Sequence, residues 1–206
     1  MSALAHRDLE SVPRAVSSFD ELETARLRLR MFAPTDAFEF SAITCDPEVM
    51  RYIGEGRPIS VHETVANIDT IINAFRRRGF GRWAVVHQDS GRLIGYCGLS
   101  AGTPSAGVEL AYMLARPFWG QGLATEAARA CLRYGFEALR LSSISAITRP
   151  SNRRSRRVME HLGMKFLCEE IYLRYDCVHY SIDRNDFPLD DSTYILHASR
   201  AHDAAA

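Results

Sequence analysis

The segment Trp119-Gly-Gln-Gly-Leu-Ala-Thr-Glu126 combines residue types that can hold a phosphate group. Glycines at 120 and 122 let a backbone turn sharply and come close to a ligand. The first amides of a following helix have no intrahelical acceptor. Together they make a positive concavity suited to a pyrophosphate. The same glycines would also serve a plain strand-to-helix turn. Neither common nucleotide pattern is present: there is no GKS or GKT, and no third glycine with an acidic residue about twenty positions on. Further along, Asn152-Arg-Arg-Ser155-Arg-Arg-Val158-Met-Glu160-His-Leu-Gly163-Met164 places an amide and a hydroxyl at the start of a second helix. Glu109 stands inside an apolar strand, where burial raises a carboxylate's pKa toward the range useful for proton transfer. The plainer alternatives are a solvated or salt-bridged edge glutamate for Glu109 and an ordinary helix surface for Ser155.

These groups need elements to position them. Thr24 to Met31 alternates as a strand, with Leu27, Leu29 and Met31 on one side and Arg26, Arg28 and Arg30 on the other. A helix is expected from Pro34 to about Ile43, and a shorter one opened by Asp46 as N-cap with Pro47 next. Ser60-Val-His-Glu63 reads as a capping box. It opens a helix to about Arg77 with Val65, Ile68, Ile72 and Phe75 inside, ended by Gly79. Arg82 to His87 and Leu93 to Leu99 flank Asp89-Ser-Gly91 as a hairpin. The loop before the next strand, Val108 to Leu114, holds Gly102, Pro104 and Gly107. A long helix is expected from Leu123 to Ala138, a strand from Ile144 to Thr148, a helix from Asn152 to Leu162, and a final β pair over Lys165 to Tyr172 and Cys177 to Ile182. Residues 1–22 read as an arm, 23–183 as one domain and 184–206 as a tail. The order implies a mixed α/β domain around a mostly antiparallel sheet.

Taken together, these blocks resemble the GNAT acetyltransferases, in particular the RimJ/RimL-like branch that acetylates ribosomal-protein N-termini and related amines. The resemblance runs from Thr24-Ala-Arg-Leu-Arg-Leu-Arg through Asp46-Pro-Glu-Val-Met-Arg-Tyr-Ile, Glu109-Leu-Ala-Tyr-Met-Leu, the glycine loop and the Asn-x-x-Ser helix to about residue 182. It implies the acyl-CoA N-acyltransferase fold, with a twisted sheet of about seven strands flanked by helices. It also implies acetyl-CoA as co-substrate, no metal, and a primary amine acceptor, either a protein N-terminus or a small molecule. The family loop, Q/R-x-x-G-x-G/A, falls with its glycine and alanine on Gly122 and Ala124. Trp119 stands where the family has Gln or Arg, a departure usual for the RimJ/RimL-like branch; it removes one cationic partner, and the backbone must do more. Backbone amides of Gly120, Gln121, Gly122, Leu123, Ala124 and Thr125 would then hold the coenzyme A pyrophosphate, and the strand edge at Met113 and Leu114 would pair with the pantetheine arm. Asn152 matches the asparagine that touches the cofactor, and Ser155 the serine beside the thiol. Ala111 replaces a frequent Gly and Met164 a usual Phe.

An amine is mostly protonated at neutral pH, so a base must act before it attacks a thioester. Glu109 is the first choice, with Glu169 and Glu170, one of which must face the cleft if their strand alternates, as competitors. A strand amide near Met113 can stabilise the oxyanion. Ser155 is the candidate acid or thiol-binding group; Tyr112 and Tyr172 are weaker ones, and His161 and His179 read as packing or surface residues. Arg153, Arg154, Arg156 and Arg157 either approach the 3'-phosphate end of the cofactor or form a solvated basic face. Direct attack in a ternary complex is expected, because no cysteine lies in the loop motifs. The same fold without catalysis would be an acyl-CoA-binding regulatory or sensor domain, and a nucleotide-binding module is a remoter alternative.

Composition narrows the class. The 206 residues are 47% hydrophobic and 24% charged with zero formal net charge. That is globular, and it argues against a dedicated nucleic-acid or membrane-surface binder. Lys165 is the only lysine. The five cysteines form no C-x2-C pair, and the histidines show no metal-ligand spacing. Reduced thiols, the lack of a signal-like run and the lack of about 18 consecutive apolar residues fit a cytoplasmic chain, as monomer or homodimer.

Overall fold

A computed structural model of the chain describes residues 19–102, 107–188 and 190–198. Nine strands form one sheet: β1 Phe19–Glu23, β2 Leu27–Arg30, β3 Arg82–His87, β4 Leu93–Ala101, β5 Val108–Leu114, β6 Ser143–Thr148, β7 Lys165–Tyr172, β8 Tyr175–Asp183 and β9 Ile195–Ala198. Their spatial order is β7-β8-β6-β5-β4-β3-β2-β1-β9. Neighbours run antiparallel except β5 and β6, which are parallel and paired at one position, Glu109 opposite Ser145. Toward Leu114, β5 therefore has a ladder on its β4 side only.

Period-two alternation sends side chains to two cores. Val108, Leu110 and Leu114 join the larger, with Leu27, Leu29, Trp83, Leu99 and Ile144, under helices α4 Leu123–Glu137 and α5 Arg153–His161. Met113, Tyr96 and Ala84 join the other, under α1 Ala37–Thr44, α2 Pro47–Met50 and α3 Val61–Arg78. Helix ends follow local chemistry. Asp46 Oδ1 accepts from the Glu48 amide at 2.9 Å. Ser60 and Glu63 cap each other reciprocally, and Gly79 closes α3 at φ 76°.

Four local expectations change. Residues 24–26 are a turn, not the start of β2, because the Thr24 hydroxyl accepts from Leu27 N at 3.1 Å and competes with the ladder. Val65 faces outward at 41% exposure. Thr64 takes the inner position with its hydroxyl 2.7 Å from that of Thr44, so a polar residue hid in an apolar stripe. The segment after 183, read as a tail, contributes the buried Phe187 and the strand β9 paired with β1. β1 likewise begins within the segment read as an arm, whose first 18 residues, like Pro104 and the last eight residues, lie outside those described. No helix among the described residues is long and apolar enough to cross a membrane.

Candidate active site

Where β5 and β6 part, a cleft of about 870 Å³ opens. It is lined by the 109–114 strand, the glycine loop, the end of β6 and the start of α5, and closed on the other side by Glu48, Arg51 and Tyr52 from α2 and the turn after it. From Trp119 to Thr125 every residue but Gln121 lines it, as do Asn152 and Ser155. The chain supplies glycine where the loop requires a left-handed backbone: φ is 75° at Gly120 and 78° at Gly122, and Gly122 is the N-cap of α4. No heavy atom would meet a Cβ at Gly120, and at Gly122 only an Arg26 nitrogen would, at 3.6 Å. The α4 N-terminus thus faces open space with its first amides, which fits a phosphate ligand.

Two candidate proton-transfer groups lie on opposite faces of β5. Glu109 is 9% exposed and shares a face with Ala111 and Met113. Tyr112 points the other way, to Ser155 on α5. Its Oη is 2.9 Å from Ser155 Oγ and 3.0 Å from the Ser155 carbonyl oxygen. A phenol has one proton; if it donates to the carbonyl, Ser155 Oγ donates to the phenol. Burial pushes the Tyr112 phenol up, and the Ser155 bond offsets this only in part, so it stays protonated through the working pH range. Asn152 caps α5, its Oδ1 accepting from Ser155 N at 3.3 Å while Nδ2 donates to Thr148 Oγ1 at 3.0 Å.

The other candidates divide between the cleft and the rest of the surface. Glu169 and Glu170 do not line the cleft, whose lining carboxylates are Glu48 and Glu109. Glu170 Oε1 is 3.0 Å from Nε2 of the buried His179, at ion-pair distance but not aligned as a hydrogen bond. His161 lines the cleft edge. Arg153, Arg154 and Arg157 line the cleft, whereas Arg156 turns to Tyr180 Oη at 3.1 Å.

Sequence reasoning missed the support of the glycine loop. Arg26 Nη1 donates to the Gln121 carbonyl at 3.0 Å, its Nε donates to Glu126 Oε2 at 2.7 Å, and Nη2 is 2.6 Å from the same oxygen. Thr24 Oγ1 and the Arg26 amide donate to Glu126 Oε1 at 2.6 and 2.9 Å. Thr24 and Arg26 are a hundred residues from the loop, so spacing could not connect them. The threonine-x-arginine at the start of the first resembling block was the available signal.

Residues 26–165 match the acetyltransferase (GNAT) domain. The chain belongs to the GNAT acetyltransferase family. Among curated relatives it is similar to the uncharacterized N-acetyltransferase YoaA of Bacillus subtilis, 30% identical over 86% of this chain and 97% of that one. It is also similar to the FsC-acetyl coenzyme A-N(2)-transacetylase of Aspergillus fumigatus, 30% identical over 81% of this chain and 77% of that one. Among solved structures, a GNAT-family acetyltransferase from Bacillus anthracis superposes with TM-score 0.71 at 26% identity, covering 80% of this chain and 99% of that one. This protein is thus an acetyltransferase with the GNAT fold, a mixed α/β architecture with helices on both faces of one sheet.

Proposed function

We propose that this GNAT enzyme moves an acetyl group from acetyl-CoA to a primary amine by direct attack, both substrates being bound at once. The observation that carries this reading is the placement of Glu109 and the Tyr112–Ser155 pair on opposite faces of β5, where its pairing with β6 ends, beside the open amides of the glycine loop. The name of the Aspergillus relative, an acetyl-coenzyme A N(2)-transacetylase, supports the same donor and a nitrogen acceptor. The Trp119-Gly-x-Gly loop and the Asn152-x-x-Ser155 helix favour the RimJ/RimL-like branch.

Backbone amides from Gly120 to Thr125 hold the pyrophosphate, and the edge of β5 at Met113 and Leu114, beyond its bridge to β6, takes the pantetheine arm as an added strand. Bound there, acetyl-CoA supplies an activated acyl carbon. Glu109 accepts a proton from the incoming ammonium, so that nitrogen has a lone pair for the new N–C bond. As the C–S bond breaks, the Ser155–Tyr112 pair can offer a proton to the departing sulfur. Thiolates leave readily, so this help matters less than the base.

The test is thiol release from acetyl-CoA over a panel of amines: N-terminal peptides, polyamines, amino acids and aminoglycosides. At least one should be turned over, with intersecting initial-rate lines. Glu109→Gln should lower that rate on the order of a hundredfold while acetyl-CoA affinity stays nearly intact. Parallel lines with a trapped acetyl-protein would reject direct attack, and a near-normal rate in Glu109→Gln would move the base to Glu48, the other carboxylate lining the cleft.

A further inference from the structure

Trp119 stands where the resembling family carries Gln or Arg, and an indole cannot pair with an anion through its face. Its face holds a cation instead. The Cζ of Arg154, from the first turn of α5, lies 4.6 Å from the centroid of the Trp119 ring. The ring is itself fixed, because Nε1 donates to the Leu114 carbonyl at 2.7 Å and the indole packs against both cores. Stacking occupies the face of a guanidinium and leaves its N–H edge free for oxygen acceptors.

The charge around this stack is uncompensated. Arg153, Arg154 and Arg157 all line the cleft, and none makes an ion pair with an acid among the described residues. Two other arginines beside the loop are engaged with acids: Arg26 with Glu126, and Arg116 with Asp46. An unpaired cation pinned beside open helix amides is the arrangement that a doubly charged anion completes.

We infer that Arg154, held on the Trp119 ring, is a pyrophosphate-binding residue of this cleft, so that tryptophan and arginine together stand in for the Gln or Arg that opens the family loop. This rests on the proposal that the cleft binds acetyl-CoA. The pyrophosphate is the group assigned, not the 3'-phosphate, because Trp119 directly precedes Gly120 and so holds the guanidinium at the amide cradle. Arg153 and Arg157 are the groups left for the adenosine end.

The experiment compares coenzyme A with dephospho-coenzyme A, which keeps the pyrophosphate and lacks the 3'-phosphate, by calorimetry on the full chain. Arg154→Ala should weaken both at least tenfold and by the same factor, and should make binding less salt-dependent. Arg154→Lys, which keeps the charge but loses the planar fork, should restore only part. Arg156→Ala removes the same charge from the same helix but from the side turned to Tyr180, and should leave both affinities within about twofold. Unchanged binding in Arg154→Ala would overturn the assignment, and so would a loss confined to coenzyme A, which would place Arg154 on the 3'-phosphate. An equal loss in Arg156→Ala would reduce the effect to bulk charge and overturn it too. If the wild-type chain binds neither compound, it is the reading of the cleft as an acetyl-CoA site that fails. Arg154 is exposed, so these variants should fold; circular dichroism checks this.

Discussion

As the proposed base, Glu109 needs a fixed carboxylate, and Gly102 packs directly against it. A Cβ built on Gly102 would lie 2.5 Å from Glu109 Cγ and 2.6 Å from Oε1. Gly102 is therefore the wall behind the carboxylate, a role that concerns contact and not turn geometry. Gly102→Ala should push the side chain from its place without touching the phosphate cradle. The expected result is a fall in kcat of roughly tenfold with coenzyme A affinity unchanged, a small displacement of a proton-transfer group being costly. Steady-state kinetics beside calorimetry checks it; an equal loss in both would mean that the strand end had shifted as a whole.

Elements are tied together by a few charged side chains. The Thr24–Arg26 turn grips Glu126 in the first turn of α4 and the Gln121 carbonyl before it, so the glycine loop is anchored to the edge of β2. Arg26 is 44% exposed along its side chain, and the pair itself contributes little stability, less than about 1 kcal/mol. Its effect should appear in binding: Arg26→Ala is expected to weaken coenzyme A about fivefold or more while the melting temperature barely moves, read by calorimetry and thermal shift. A second tie joins β2 to the start of α1. Burial alone would raise the pKa of Asp36, but the two bonds from Arg30, at 2.7 and 2.8 Å, and one from the Ala33 amide outweigh it and hold the carboxyl below its ordinary value. A depressed folded-state pKa means stability that is present above the unfolded value of about 3.9 and is lost as pH falls through the folded value. Asp36→Asn should cost about 2 kcal/mol at neutral pH and flatten the acid side of the stability curve, as urea titrations at several pH values would show. An unaltered acid limb in the variant would assign that limb to other carboxylates.

At the scale of the molecule, the sheet makes the site by failing to pair. Within the sheet one bridge joins the two halves, β5 to β6, and the cleft opens beyond it. The halves must then be stiffened elsewhere, and the C-terminal segment does part of this. Phe187 is 9% exposed with its ring 5.3 Å from that of Phe136 on α4, Arg129 pairs with Asp190 at 3.1 Å, and β9 covers the open edge of β1. Phe187→Ala should therefore destabilise the fold by about 3 kcal/mol, the usual cost of emptying an aromatic site. Chemical denaturation measures it, and a loss below about 1 kcal/mol would return the segment to the status of a tail.

Local periodicity and capping chemistry lie within a few residues of one another, and so the sequence alone was enough for most elements. Ser60 with Glu63, Asp46 with Pro47, and the hairpin across Asp89-Ser-Gly91 are short-range arrangements, and they stand where expected. The glycine loop was legible for the same reason: a left-handed backbone before a helix needs glycine at that very position. What escaped were pairings between distant residues. Arg26 on the loop, Tyr112 on Ser155, Arg154 on Trp119 and Gly102 against Glu109 depend on which strand lies beside which, and no period carries that information. The choice among glutamates was of this kind too. Alternation put one of Glu169 and Glu170 on the cleft-side face, but only the sheet order, with β7 at the far edge beyond β8 and β6, separates that strand from the gap. The sequence thus determined the elements and the glycine loop by local stereochemistry, while the cleft and the placement of Glu109, Tyr112 and Ser155 around it were decided by the tertiary fold, because the cleft exists only where two strands part.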